Sequence, residues 1–356
     1  MTDASPASRR LPPLLVAACV AAIAGVSWWL LKELAPVLRP LLVAVILAYI
    51  LMPYHSRLSK RVTAPVSLAI LAAITVGLLL ALALAVQVSV NEMNAEWPRF
   101  QRKIDAGAKE LQGFLRTHAP DLMGESESPL SDKVSELVTF AATPVLSAAA
   151  SAFIEACVVG LYLLFLLLEA SHFPDRVRKA YAPDRAEEIL DIAGKVNSAI
   201  VSYLMAKVKS SLVLAVPVGI ILWVLGVKFA LLWAVLTFLC NFIPYLGSVT
   251  AFALPVGFAF LQLDPGWRPV VVAALLLGCQ IASASVVEPM LLGKAVGLSP
   301  LVILGSLAFW GLLWQIPGML IAVPLTVVAV IVMNHFAFTR PVAMLMSASG
   351  TEPRGM

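Results

Sequence analysis

Charge is what this chain has least of. Of its 356 residues only 13% are Asp, Glu, Lys or Arg, whereas 60% are hydrophobic, and the mean hydropathy is +0.92. A soluble domain carries about 25% charged residues, so this chain has too little polar surface for water and reads as an integral membrane protein. A dense basic block with interleaved aromatics is missing, which removes nucleic acid from the partners. The net charge of +4 is explained by basic loops on one side of a bilayer. The sequence also lacks H-E-x-x-H, G-x-S-x-G, a P-loop and a Gly-rich dinucleotide fingerprint. It therefore gives no ground for an enzyme, an ATP motor within the chain or a cofactor. Cys19, Cys157, Cys240 and Cys279 all lie in apolar runs. They read as small hydrophobes, not as a disulfide framework, and with isolated histidines they supply no metal site.

What is abundant is membrane-length apolar sequence. The polar, basic residues 1–10 lead into a run that continues through Trp28-Trp29-Leu30-Leu31 with no small-residue cleavage site, so it reads as a retained first span, not a signal peptide. At about 20 residues per crossing, further spans are expected at 34–52, 65–90, 145–168, 210–225 and 270–287. Lys32-Glu33 reads as a tight hairpin turn between the first two. This divides the chain into a three-span scaffold (1–91), a polar amphipathic insertion (92–144), a fourth span (145–170), a cytoplasmic amphipathic segment (171–209), a transport region (210–340) and a cytoplasmic tail (341–356). Arg9 and Arg10, then Arg57, Lys60 and Arg61, then Arg176, Arg178, Lys179, Lys195, Lys207 and Lys209 alternate with poorly charged loops. The positive-inside rule then places both termini in the cytoplasm. Arg39 fits this least and is expected to extend its stem toward an interface.

Two apolar runs, 229–263 and 301–336, are broken. The first carries Asn241-Phe242-Ile243-Pro244-Tyr245-Leu246-Gly247 and the second Gln315-Ile316-Pro317-Gly318-Met319. Proline removes a backbone donor, and in hydrocarbon no water satisfies the freed carbonyl. Matching breaks in two related segments point to a transport site. Each run follows a continuous span and a glycine, Gly226 or Gly297, and each has a second proline, Pro255 or Pro324. The fold expected is all-α and polytopic, with about six full spans plus two Pro-broken helical hairpins forming an inverted repeat. Ordinary proline-kinked helix pairs are the plainer alternative.

Candidate pathway or gating residues are Asn241, Pro244, Tyr245 and Gly247 at the first break and Gln315, Pro317 and Gly318 at the second. Glu288, Pro289 and Gly293 follow the span between them. Unwound backbone exposes amide and carbonyl dipoles, and glycine permits close approach or positive φ. Asn241 and Gln315 serve equally as simple caps. A carboxylate inside a membrane normally faces a cavity. Glu288 and Glu155 are thus candidates for coupling H+ or Na+, unless Glu288 merely pairs with Lys294 at the interface. Trp28, Trp29, Trp267 and Trp314 suit an interfacial belt.

The polar stretches carry apolar stripes at helical spacing. One runs through Trp97, Phe100, Ile104, Ala108, Leu111 and Leu115, the other through Ile189, Ile192, Val196, Ile200 and Tyr203. Such stripes pack on the chain's own bundle, on lipid, or on a neighbouring subunit.

Taken in order, the first break, Glu288-Pro289 with Gly293, Gly297-Leu298-Ser299-Pro300-Leu301, Ile316-Pro317-Gly318 and Val323-Pro324-Leu325 resemble the signature run of the autoinducer-2 exporter family of bacterial permeases. The resemblance covers about 196–336 strongly and the N-terminal half by layout. Ser248 stands where a proline is frequent in that family. The resemblance implies a secondary carrier in the bacterial cytoplasmic membrane, exporting a small polar solute such as autoinducer-2. Na+(Li+)/H+ antiport is the alternative it also allows. It further implies a homo-oligomer, a pentamer. A non-transporting membrane scaffold or regulator is the alternative from another class.

Overall fold

The computed structural model describes residues 13–118, 154–169, 172–292 and 297–348. Among these, structure is helical throughout except for one isolated antiparallel bridge between Leu298 and Ser347. The helices are α1 (Pro13–Glu33), α2 (Ala35–Leu58), α3 (Ala64–His118), α4 (Ile154–Glu169), α5 (Phe173–Ala180), α6 (Pro183–Val224), α7 (Ala230–Cys240), α8 (Leu246–Gln262), α9 (Trp267–Ala282), α10 (Glu288–Leu292), α11 (Pro300–His335) and α12 (Arg340–Met346). A π-helical turn, Ser283–Val287, joins α9 to α10. By length and apolar composition five helices qualify as membrane spans, or up to six if the bent α4–α5 pair counts as one. The chain is thus an all-α polytopic membrane protein.

Proline starts several of these helices. α2, α5, α6, α11 and α12 each carry one at the first or second position, where the missing N–H has no intrahelical partner to lose. Gly226 ends α6 with φ of +76°. Val227 N donates to Leu222 O and Gly226 N to Trp223 O, the paired bonds of a Schellman cap that only an easily left-handed residue completes.

Composition boundaries are not structural breaks here. α3 runs unbroken past residue 91 into the polar stretch, and α6 runs unbroken past residue 209. The tight hairpin expected at Lys32-Glu33 is not formed. Leu34 alone leaves the α-helix, and it stays right-handed at φ −78° and ψ 0°. Leu34 N donates to Leu30 O and Leu38 N to Leu34 O, so the ladder continues. Chain reversal between helices takes a loop of about 2–5 residues, and Lys32-Glu33 offers no Gly or Asn to supply it.

Packing divides into a bundle of α2, α3 and α4, centred on Ala44, Leu68, Ala72 and Leu163, and a second body around α6. At Gly160 an added Cβ would press on the Val76 side chain, showing how closely α4 approaches α3. This is the small-residue contact that drives association where lipid removes the hydrophobic incentive.

Two hairpins flank α6. α7 and α8 are antiparallel, with Trp233 and Phe258 in ring contact and the reversal at 241–245. α11 is longer, but it too folds back. Ser306 Oγ lies 2.6 Å from Thr326 Oγ1 and donates to Ala322 O at 3.0 Å. In a straight helix twenty residues would separate these side chains by about 30 Å. The reversal falls at Gln315, at φ 55° and ψ −137°. The bases of the hairpins lie at opposite ends of α6. Gln262, at the end of α8, bonds Gly226 O and Lys228 N beside the Val224 end, whereas His335, at the end of α11, bonds Glu188 beside the Pro183 end.

Candidate functional site

The tip of the α7–α8 hairpin meets α6 and the π turn around a cavity of about 340 Å³. Its polar lining comes from Tyr203 and Lys207 of α6, Asn241, Tyr245 and Ser248 of the first hairpin, Gln280 of α9, and Ser283 and Glu288 across the π turn. Lys207 lies 17 residues before the Val224 terminus of α6, about 25 Å along the axis. The cavity therefore sits toward the Pro183 end of the apolar stretch.

Lys207 and Glu288 form the centre of this site. Nζ donates to Oε1 at 2.6 Å, with the lysine side chain 5% exposed and the glutamate 31%. Burying either charge alone would be prohibitive, and each is tolerated because the other sits against it. Glu288 thus pairs with Lys207, and Lys294 lies outside the described residues. Sequence reasoning counted Lys207 among the loop cations. In the structure it shares one buried face of α6 with Tyr203, Ser210, Ser211 and Leu214, and that helical register is what separates it from the loop cations.

The π turn aims Glu288. At 100° per residue, an unbroken helix would rotate Glu288 about 80° away from Gln280. The extra residue in the π turn, closed by Glu288 N donating to Ser283 O, returns it to the stripe of Gln280, Ser283 and Ala284, all of which line the cavity. Single π turns of this kind recur at functional sites. Ser283 Oγ is buried there with no hydrogen-bond partner. A buried hydroxyl without a partner is uncommon, and here it belongs to a residue of the cavity wall.

At the first break, Asn241 is buried and donates from Nδ2 to Ser211 Oγ at 3.0 Å, so it fastens the tip to α6. Pro244 lines the cavity, and Tyr245, at φ 64°, is 53% exposed at its rim. Gly247 has no positive φ. A Cβ there would collide with Cys240 O, so it lets α8 begin directly against the end of α7. At the second break the strain likewise falls on Gln315, and a Cβ on Gly318 would collide with Trp310 O. Gln315 is exposed, and neither it nor Pro317 nor Gly318 lines the cavity. The second hairpin contributes Ile303 and Val323 to the wall instead. Ile243 of the first tip packs on Leu307 and Ala322 of its two arms.

The remaining expected residues lie apart. Glu155 is exposed in the first turn of α4 and does not line the cavity. Pro289 is exposed beside Glu288, and Gly293 lies outside the described residues. Trp314 is not in an interfacial belt. It is 4% exposed, and Nε1 donates to Leu31 O at 3.0 Å, joining the tip of the second hairpin to the end of α1. Arg39 is half-buried, with its Nε buried and unbonded. Among the described residues no group of three His, Cys, Asp or Glu side chains could hold a metal ion.

A polytopic helical membrane protein with a largely apolar cavity that carries a few polar groups at a broken-hairpin tip has the form of a permease. Residues 17–338 match the AI-2E family transporter, and the chain belongs to that transporter family. It is 28% identical over 259 residues to the AI-2 transport protein TqsA of Escherichia coli (strain K12), covering 73% of this chain and 74% of TqsA. It is 30% identical over 272 residues to YhhT of the same strain, provisionally named a transport protein, covering 75% of each. A protein of Haemophilus influenzae with a similarly provisional transport name is 35% identical over 192 residues, covering 53% of this chain and 55% of its own.

Proposed function

We propose that this protein is a secondary carrier that moves a small polar solute through the Lys207–Glu288 cavity, and that autoinducer-2, named for TqsA, is the first solute to test. The observation that carries this is the meeting of a broken hairpin tip, a π turn and an orphaned Ser283 hydroxyl around one cavity. Hairpins based at opposite ends of α6 support an inverted-repeat design, in which each repeat closes the path from one side. The protein sits in the bacterial cytoplasmic membrane with the Arg57, His335 and α12 ends inward, as the basic residues there favour. We take it to assemble as a homo-oligomer, which the family resemblance implies.

Cation/proton antiport through Glu288 has less support, because the Lys207 ammonium already occupies the carboxylate. The deciding experiment is flux in proteoliposomes containing the purified protein. Autoinducer-2 efflux above empty liposomes, reduced by Ser283→Ala, supports the proposal. Na+ or Li+ exchange for protons without autoinducer-2 movement replaces it with antiport, and no flux of any of these returns the chain to a scaffold role.

A further inference from the structure

The feet of the second hairpin are tied together by chain that lies outside the cavity. After His335 the chain turns through 336–339, forms α12 and returns to the residues just before α11. There Ser299 N donates to Met346 O at 2.9 Å and Ala348 N to Gly297 O at 2.7 Å, and Leu298 pairs with Ser347. Ala343 of α12 is fully buried in a cluster with Tyr203, Leu298 and Val323. Tyr203 and Val323 are also cavity wall. Ser299 accepts Ile303 N in the first turn of α11, and Ile303 lines the cavity as well. One short segment therefore touches both arms of the hairpin and the wall behind which the solute would sit.

The pairing itself is short. Two interstrand hydrogen bonds join 297–299 to 346–348, and a two-stranded pairing of this size is at most marginally stable without the packing that Ala343 and Met346 add on the bundle. Elements of low local stability are the ones that open during function.

We propose that α12 and residues 346–348 are a latch. Paired, the latch fastens the first arm of α11 to the second and keeps Ile303 on the cavity wall. Unpaired, it frees the first arm and opens the cavity toward the face where Glu188 meets His335. This rests on the transport reading, since a cavity that never changes access gives a latch nothing to regulate.

Disulfide locking tests it. Cys19, Cys157, Cys240 and Cys279 are first replaced by Ser, and Leu298→Cys with Ser347→Cys is combined with Ser283→Cys as a reporter. Facing residues in an antiparallel pair have Cα atoms about 4.5–5.5 Å apart, within disulfide reach. Labelling of the reporter by a membrane-impermeant maleimide is followed from each side of oriented vesicles, before oxidation, after it, and after reduction. The expected result is that the 298–347 disulfide forms readily, labelling from the Glu188–His335 face is lost, and reduction restores it. Failure of the disulfide to form overturns the latch, as does unchanged labelling once it has formed. A reporter that stays unlabelled from both sides even when reduced overturns the carrier proposal and the latch together.

Discussion

The Lys207 ammonium donates to the Glu288 carboxylate across 2.6 Å, joining α6 to the π turn at a point where the lysine is almost wholly buried. Removing one partner of a buried pair costs about 3–5 kcal/mol. Glu288 keeps some contact with solvent, so Lys207→Met is expected to cost about 3 kcal/mol, at the low end of that range, whereas Glu288→Gln orphans the almost wholly buried lysine and is expected to cost more. The double variant, Lys207→Met with Glu288→Gln, leaves no orphan charge and is expected to recover most of the loss. Thermal unfolding of the three purified variants in detergent checks this. A double variant no more stable than the worse single one would show that the pair is not what holds these helices together.

Gly247 and Gly318 answer the same steric demand at two hairpin tips. In each case a Cβ would overlap a backbone carbonyl oxygen, of Cys240 and Trp310 respectively. Backbone has nowhere to retreat, unlike the end of a flexible side chain. Gly247→Ala and Gly318→Ala are each expected to destabilise by about 2–3 kcal/mol or more. Gly257→Ala and Gly305→Ala, with nothing within 4 Å of the added atom, serve as controls that should be neutral or slightly stabilising. Thermal shifts of the four variants decide whether the tips are as close as this.

Hydropathy made the spans legible because lipid demands apolar length, and the two reversals were legible from proline joined to a glycine and a polar residue, since Pro40, Pro53, Pro217 and Pro255 alone sit inside helices that continue. Gly226 was legible as a helix end for the same local reason. The ion pair was not. Lys207 stands in Met205-Ala206-Lys207-Val208-Lys209, at the edge of a polar stretch, and only its register with Tyr203 and Ser211 on one helical face distinguishes it from Lys209. The π turn within Ser283-Ala284-Ser285-Val286-Val287 carries no residue that requires it. The role of Trp314 depends on what the second tip meets, namely Leu31 on α1. No local pattern encodes that contact. At the breaks the positive φ falls on Tyr245 and Gln315, while Gly247 and Gly318 sit against the Cys240 and Trp310 carbonyl oxygens of their own chain.

Glu188 ties the start of α6 to the end of α11. Its carboxylate accepts from His335 Nε2 at 2.7 Å and from Arg185. First the His335 hydrogen bond and then the Arg185 charge hold its pKa below the ordinary glutamate range. A carboxyl whose folded-state pKa is lowered contributes stability above its unfolded pKa and loses it as the pH falls through the folded value. The acid limb of unfolding, below about pH 4, should therefore be steeper in the native chain than in Glu188→Gln. Melting temperature against pH for both proteins measures it. Because the pair is exposed, the difference should shrink at about 1 M salt, where screening acts over about 3 Å.

The reversal at Gln315 makes the sharpest geometric claim. Ser306 and Thr326 meet hydroxyl to hydroxyl, yet a continuous α11 would hold them about 30 Å apart. In the background without native cysteines, Ser306→Cys with Thr326→Cys is expected to form an intramolecular disulfide under mild oxidation. Such a bond needs Cα atoms within about 7 Å, a distance no proline kink at Pro317 alone can supply. Ser306→Cys with Val332→Cys lies off the facing register and is expected to stay reduced. Proteolysis between the two positions followed by gel mobility reads the outcome directly. If neither pair forms within one chain, α11 crosses the membrane as a single bent span, and the second hairpin, with the opposed arrangement built on it, is lost.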